Sequence, residues 1–159
     1  MIQRTLILIK PDGVQRCLSG KILARFEDAG MKIVGMKMVW VDKDFAKEHY
    51  YEHVEKSFYS GLEAVITMGP VVAVVLEGVE AIAKVRKMVG STEPKSAEPG
   101  TIRGDYAHVS YGYADQEGLG IKNLIHASDS EKSAKKEIEL WFDQKEIHSY
   151  KTVHDVHLY

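Results

Sequence analysis

Residues Lys32-Ile-Val-Gly-Met-Lys-Met-Val-Trp-Val41 read as a β-strand with alternating residues. Ile33, Val34, Met36, Met38 and Trp40 supply its apolar positions, and one face is left to water. A strand in a parallel sheet covered by helices on both faces would be apolar throughout. The alternation therefore argues for an antiparallel arrangement and against a flavodoxin-like sheet. Working outward, Thr5 to Ile9 is a continuous apolar run closed by Lys10-Pro11-Asp12-Gly13, which predicts a buried strand and a turn. Pro70 opens a second such run over Val71 to Leu76, and Lys122 to Ile125 makes a short fourth strand.

Helices fill the intervals. Ser19 to Glu27 places Ile22, Leu23 and Phe26 on one face and stops at Gly30. Lys43 to His53 and Leu62 to Thr67 follow, then Glu80 to Val89 with Ile82, Val85 and Val89 at helical spacing. Ser128-Asp129-Ser130-Glu131 reads as a capping box opening a helix whose apolar face is Ala134, Ile138, Trp141 and Phe142. Ser91 to Gly104 is a long loop of the kind that is usually functional, and Gly112 to Gly120 is a second loop. The order predicts an α+β ferredoxin-like sandwich, a four-stranded and mainly antiparallel sheet with helices packed on it, as one domain over 1–159.

The 159-residue length is ordinary for one domain and sufficient for a core without staples. Lys plus Arg is 21 against 23 for Asp plus Glu, a net charge of −2, which carries no basic excess for gripping long nucleic acid. Cys17 is the only cysteine, so no intramolecular disulfide forms and a reducing compartment is expected. The N-terminal apolar run is too short for a secretion signal, and no segment is long enough to span a bilayer. A soluble, cytoplasmic protein is the expectation. The single asparagine, Asn123, hints at a warm habitat.

Several short motifs have bland readings. Ser19-Gly20-Lys21-Ile22 resembles the end of a phosphate-binding loop, but Gln15 stands at its first glycine and Ile22 at its hydroxyl residue. His49-Tyr-Tyr-Glu-His53 matches H-x-x-E-H, a zinc-peptidase pattern, although a solvated helix face explains it as well. Arg103-Gly104-Asp105 is an adhesion tripeptide by letters only.

The informative stretch is Asn123-Leu-Ile-His-Ala-Ser-Asp-Ser130, in which His126 lies between a short strand and a capped helix start. Free amides there suit anions, and a neutral imidazole there can attack phosphorus. Glu137, at the edge of the buried stripe, can reach back and fix one ring nitrogen. A histidine packed at a strand end fits the spacing equally well. Lys10, Arg86 and Arg103 could supply cations for a polyphosphate, and Thr92 a hydroxyl, provided the fold gathers them.

At these residues the chain resembles the nucleoside diphosphate kinase family. The signature N-x-x-H-[GA]-S-D-[GSA] is met in full by Asn123 to Ser130, and Arg4 to Gly13, Gly69 to Ala73 and Pro99 to Asp105 also match. The resemblance covers about Arg4 to Phe142. It implies that ATP or another nucleoside triphosphate gives its γ-phosphoryl group to His126, which passes it to a nucleoside diphosphate in a ping-pong reaction. By the same resemblance, Glu137 holds the ring, and Lys10, Arg86, Thr92 and Arg103 bind phosphates. Lys10 and Asn123 contact the sugar, Tyr50 lines the pocket, and Tyr59 stacks on the base where the family usually has phenylalanine. Mg²⁺ is implied as cofactor, held by phosphates and water rather than protein ligands, and the assembly as a homohexamer. Neither nucleic acid nor membrane is an expected partner. Tyr106 to Lys122 is about twice the length common in the family and resembles archaeal versions. A nucleotide-binding module without catalysis and a zinc peptidase are the competing expectations.

Overall fold

The computed structural model describes residues 1–157; the last two positions of the expected domain lie outside the described residues. In chain order the elements are β1 (Ile2–Ile9), α1 (Pro11–Gln15), α2 (Ser19–Asp28), β2 (Lys32–Val39), α3 (Lys43–His49), α4 (Tyr59–Thr67) and β3 (Val71–Val79). There follow α5 (Ala81–Val89), α6 (Ile102–Tyr106), α7 (Tyr111–Gln116), β4 (Ile125–Ala127), α8 (Glu131–Trp141) and α9 (His154–His157). The strands form one sheet in the order β2-β3-β1-β4, and each neighbouring pair is antiparallel. This is the ferredoxin-like α+β sandwich expected from the element order.

The continuous apolar runs follow from the position of β1 and β3 at the centre. Alternate residues feed two cores, one on each side of the sheet. Ile7, Ile9, Val74 and Leu76 pack with Ile22 and Phe26 of α2 and Val85 of α5. Leu6, Leu8, Ala73 and Val75 pack on the other side with Ile66, Trp141 and Phe142. A residue with neighbours on both sides of its sheet has no wet face to present, so polar alternation is absent in both strands.

The second strand forms as expected, but of its apolar positions Met36, Met38 and Trp40 do not face the core. Its pairing with β3 slips between Ile33 and Gly35, a β-bulge that inserts Val34 as an extra residue. Beyond the slip every side chain changes face. Met36 and Met38 therefore point outward, and Trp40 lies past the strand end, 67% exposed. Lys37 instead covers the ring of Phe142 and reaches Glu146 at 2.8 Å.

Other expectations also shift. The turn after β1 is the short helix α1, since Pro11 supplies a preset first helical residue. Lys43 to His53 is not one helix: α3 stops at His49 and a 3₁₀ turn spans Tyr51–His53. Both expected loops hold helices, α6 capped by Thr101 and α7 capped by Ser110. The cap of α8 is Ser130, whose hydroxyl accepts the Ser133 N–H at 3.1 Å, not Ser128 at the head of a capping box. The fourth strand starts at Ile125 rather than Lys122, because Leu124 takes a left-handed φ of 71° that breaks extension.

The side chain of Phe26 is fully buried between α2 and the sheet. Phe26→Ala is expected to lower unfolding stability by about 3–5 kcal/mol in urea titration. A loss below about 1 kcal/mol would contradict the packing of that core.

Candidate active site

β4 pairs with β1 so that His126 stands opposite Leu8. α8 then runs back over the sheet and presents Glu137 to the imidazole. His126 Nε2 and Glu137 Oε2 are 2.9 Å apart, and the same carboxylate oxygen accepts the Ser128 hydroxyl at 2.6 Å. A carboxylate receiving a hydroxyl hydrogen bond is an acceptor, so the proton of the imidazole lies on Nε2 and the lone pair on Nδ1. Ser128 is fully buried and its oxygen also accepts the Leu6 N–H at 3.2 Å. The carboxylate is thereby anchored to the sheet and not only to its own helix.

A cleft of about 900 Å³ opens beside this ring, within the usual range for small-ligand sites. Lys10, Tyr50, Arg86, Thr92, Arg103, Asn123, His126 and Glu137 all line it. The scattered cations of the sequence are thus brought to one place. Lys10, at the end of β1, is buried and donates from Nζ to Asn123 Oδ1 at 2.7 Å. Asn123 Nδ2 donates in turn to Thr92 O at 2.8 Å. Burial, partly offset by the Asp12 carboxylate, lowers the Lys10 pKa to about 8. Arg103 is 3% exposed, donates from Nε to Asn123 O and from Nη1 to Gly90 O, both at 3.1 Å, and also donates from Nη2 to Ile125 O. Burial, followed by the neighbouring Arg86 charge, lowers its pKa to about 10. Arg86 Nη1 donates to Ala127 O at 3.3 Å. Burial raises the Tyr50 phenol above its ordinary range, so it remains a neutral donor.

Tyr59 is not in the cleft. Its ring is buried in the core above the sheet, and its hydroxyl donates to Glu63 at 3.0 Å. Phe58, 53% exposed, lines the cleft instead. The reason is helical phase. α4 begins at Tyr59, three residues earlier than a helix from Leu62 suggests, and Tyr59 shares the buried face with Ile66, seven residues on. The apolar stripe, extended backwards, would have identified Phe58 as the outward ring.

The sequence places Ser128 in a capping box and His49 in a zinc-peptidase pattern, and gives no sign that both lie beside His126 and Glu137. His49 is buried, accepts the Trp141 Nε1–H on Nδ1 at 3.2 Å, and meets His126 edge to face with ring centroids 4.9 Å apart. Its pKa is pushed well below the ordinary value, chiefly by burial, so it stays neutral. Of the two histidines of the H-x-x-E-H match, His49 is turned to Trp141 and His53 Nδ1 is 3.0 Å from Lys56 Nζ. Among the described residues no group of three His, Cys, Asp or Glu side chains gathers to hold a metal. The tripeptide Arg103-Gly104-Asp105 is unavailable to a partner because Arg103 is buried. Among the described residues no helix is long and apolar enough to cross a membrane.

Between Asn123 and His126 the chain makes a sharp reversal. Ile125 N–H donates to Asn123 O at 2.8 Å across Leu124, a γ-turn of the left-handed kind, with a conformational cost of about 1–3 kcal/mol for a residue other than glycine.

Comparison with known proteins identifies the family. The family model described as Nucleoside diphosphate kinase matches residues 3–147. A nucleoside diphosphate kinase of Pyrococcus abyssi is 53% identical over 154 residues, which are 96% of this chain and 92% of that protein. Among solved structures, the nucleoside-diphosphate kinase of Borrelia burgdorferi, a transition-state mimic with vanadate and ADP, has a TM-score of 0.95. It is 44% identical, with 98% of this chain and 96% of that one covered. The halophilic enzyme of Halobacterium salinarum in complex with CDP has a TM-score of 0.90 at 43% identity, with 100% and 99% covered. The chain, which carries the full signature around His126, belongs to the nucleoside diphosphate kinase family of phosphotransferases.

Proposed function

We propose that His126 is the nucleophile of a two-step phosphoryl exchange between nucleotides. In the first step the Nδ1 lone pair bonds to the γ-phosphorus of ATP while the bond from that phosphorus to the β,γ-bridging oxygen breaks, and ADP leaves. In the second, a terminal β-phosphate oxygen of another nucleoside diphosphate takes the phosphoryl group and the imidazole returns to its neutral form. The observation that carries this reading is the 2.9 Å contact of Nε2 with Glu137, which leaves Nδ1 unengaged in a cation-lined cleft. Phosphoryl transfer through a loose transition state asks the protein for alignment and fixed positive charge, and for little else.

Lys10, Arg86 and Arg103 would hold phosphate oxygens, with Thr92 adding a hydroxyl. Lys10 and Asn123 would also meet the sugar hydroxyls, and Tyr50 would pack beside the transferring group. Phe58 takes over the stacking role expected of Tyr59. Stacking uses a face that every base has, so base preference should be weak. Mg²⁺ fits this cleft as a passenger on the nucleotide, since its donors suit phosphate better than a metal cage. Bound through phosphate oxygens and water, it would draw negative charge from the bond that breaks.

A homohexamer, whose copy number rests on the family resemblance, is supported to the extent that Met36, Met38 and Trp40 leave an apolar patch at the sheet edge. The whole of 1–159 is read as a single domain that works in the cytoplasm, where its nucleotide substrates are, with no need of nucleic acid or membrane.

Incubation with γ-labelled ATP should label the wild type with an acid-labile, alkali-stable phosphate and leave His126→Ala unlabelled; an unlabelled wild type would sink the proposal. Glu137→Gln should lower kcat about a hundredfold with a smaller change in KM, because ring aim rather than binding is lost; an unchanged kcat would show that the carboxylate is not needed. The Lys10 ammonium, with its pKa lowered to about 8, loses its charge as pH rises through that value. The kcat/KM profile, which reports the free enzyme, should therefore fall above about pH 8, while the kcat limb lies higher because bound phosphates favour the cation. A kcat/KM flat to pH 10 would contradict the burial of a functional lysine.

A further inference from the structure

Leu124 is fully buried and left-handed, and it lies between two residues of the proposed site, Asn123 just before it and His126 two residues after it. Its two polar backbone groups are held from one short stretch of the chain. The Lys10 N–H donates to Leu124 O at 2.8 Å, and the Leu124 N–H donates to Asp12 Oδ2 at 2.9 Å. Gly13 closes the grip from below, since a Cβ there would sit 3.0 Å from Leu124 O and 2.9 Å from Ile9 Cγ2. Asp12 is 5% exposed and belongs to the preset first turn of α1. It does not line the cleft.

We propose that Asp12 is a positioning residue for phosphoryl transfer, holding through the Leu124 N–H the left-handed turn that sets Asn123 beside Lys10 and His126 in register with Leu8. A leucine released from such a hold relaxes toward negative φ. The peptide planes on both sides then rotate. Asn123 Oδ1 leaves Lys10 Nζ, now 2.7 Å away, and Asn123 O leaves Arg103 Nε, now 3.1 Å away. One carboxylate outside the cleft thus governs the relative placement of a cation, an amide and the nucleophile.

This inference rests on the phosphohistidine reading, and its test separates the two. The Leu124 amide is followed by hydrogen exchange, which needs no turnover, beside kcat/KM for transfer from ATP to GDP. Asp12→Ala should speed exchange at Leu124 and lower kcat/KM about a hundredfold, mostly through kcat. Asp12→Asn keeps an acceptor oxygen, so it should preserve slow exchange and recover most of the lost rate. Gly13→Ala pushes on Leu124 O without altering charge and should lower kcat/KM about tenfold. A folded Asp12→Ala with wild-type exchange at Leu124 and kcat/KM within about twofold of wild type would overturn the proposal. Should Asp12→Ala not fold, Gly13→Ala with wild-type exchange and rate would overturn it. A wild type without phosphoryl transfer instead defeats the parent reading and leaves the exchange result standing by itself.

Discussion

The hydrogen bond between Glu137 and His126 Nε2 is the constraint on which the site depends. An imidazole has two nitrogens of similar basicity, and which one attacks is decided by what the other one does. The carboxylate removes that choice. It acts at a distance of eleven residues because β4 and α8 form a strand-turn-helix unit whose corner is fixed by Ser128 and capped by Ser130. Ser128 accepts from β1 and donates to Glu137, so the aim of the imidazole is tied to the middle of the sheet. His49 closes the remaining side with a neutral ring held by Trp141. On the proposed reading, His126 therefore loses little orientational freedom at the moment of reaction, and that freedom is a large part of what an enzyme must remove.

Placing cations around such a ring is costly. Lys10 and Arg103 are nearly as buried as the core, and burial lowers the pKa of both. Each is nevertheless anchored: the lysine by one side-chain carbonyl, the arginine by three backbone carbonyls, two in the turn over 123–125 and one at Gly90, with donors left over for a ligand. Their donors are thus preset before any phosphate arrives. Under the proposed function, an incoming polyphosphate would meet charge that needs no reorganisation, in a setting of low dielectric where each contact is worth more than it would be in water. The strained turn at Leu124 belongs to the same design, since unfavourable backbone conformations persist only where surrounding bonds over-determine them.

The architecture was legible in the sequence wherever burial was one-sided or complete. The apolar runs at β1 and β3, the helical stripes of α2 and α5, and the signature around His126 each carry a signal within a few residues of one another. Failures came where one residue reset the phase. The bulge at Val34 turned Met36 and Met38 outward, and alternation alone cannot reveal a bulge. The early start of α4 moved Tyr59 into the core and left Phe58 facing the cleft, a distinction of one residue that only the full helical period separates. Ser128 looked like a helix cap because its letters fit one, but its hydroxyl serves a carboxylate instead. Asp12 gave no sign at all, since its partner lies 112 residues away.

The central claim concerns one atom, Nδ1 of His126, and it can be read directly. Phosphoenzyme prepared from ring-labelled ¹⁵N-histidine protein and ATP can be examined by ³¹P–¹⁵N correlation under alkaline denaturing conditions, in which the N–P bond survives. The account predicts that phosphorus couples to Nδ1 of His126, with Nε2 unmodified. Phosphorus on Nε2, the nitrogen that Glu137 engages, or on any other residue would contradict it.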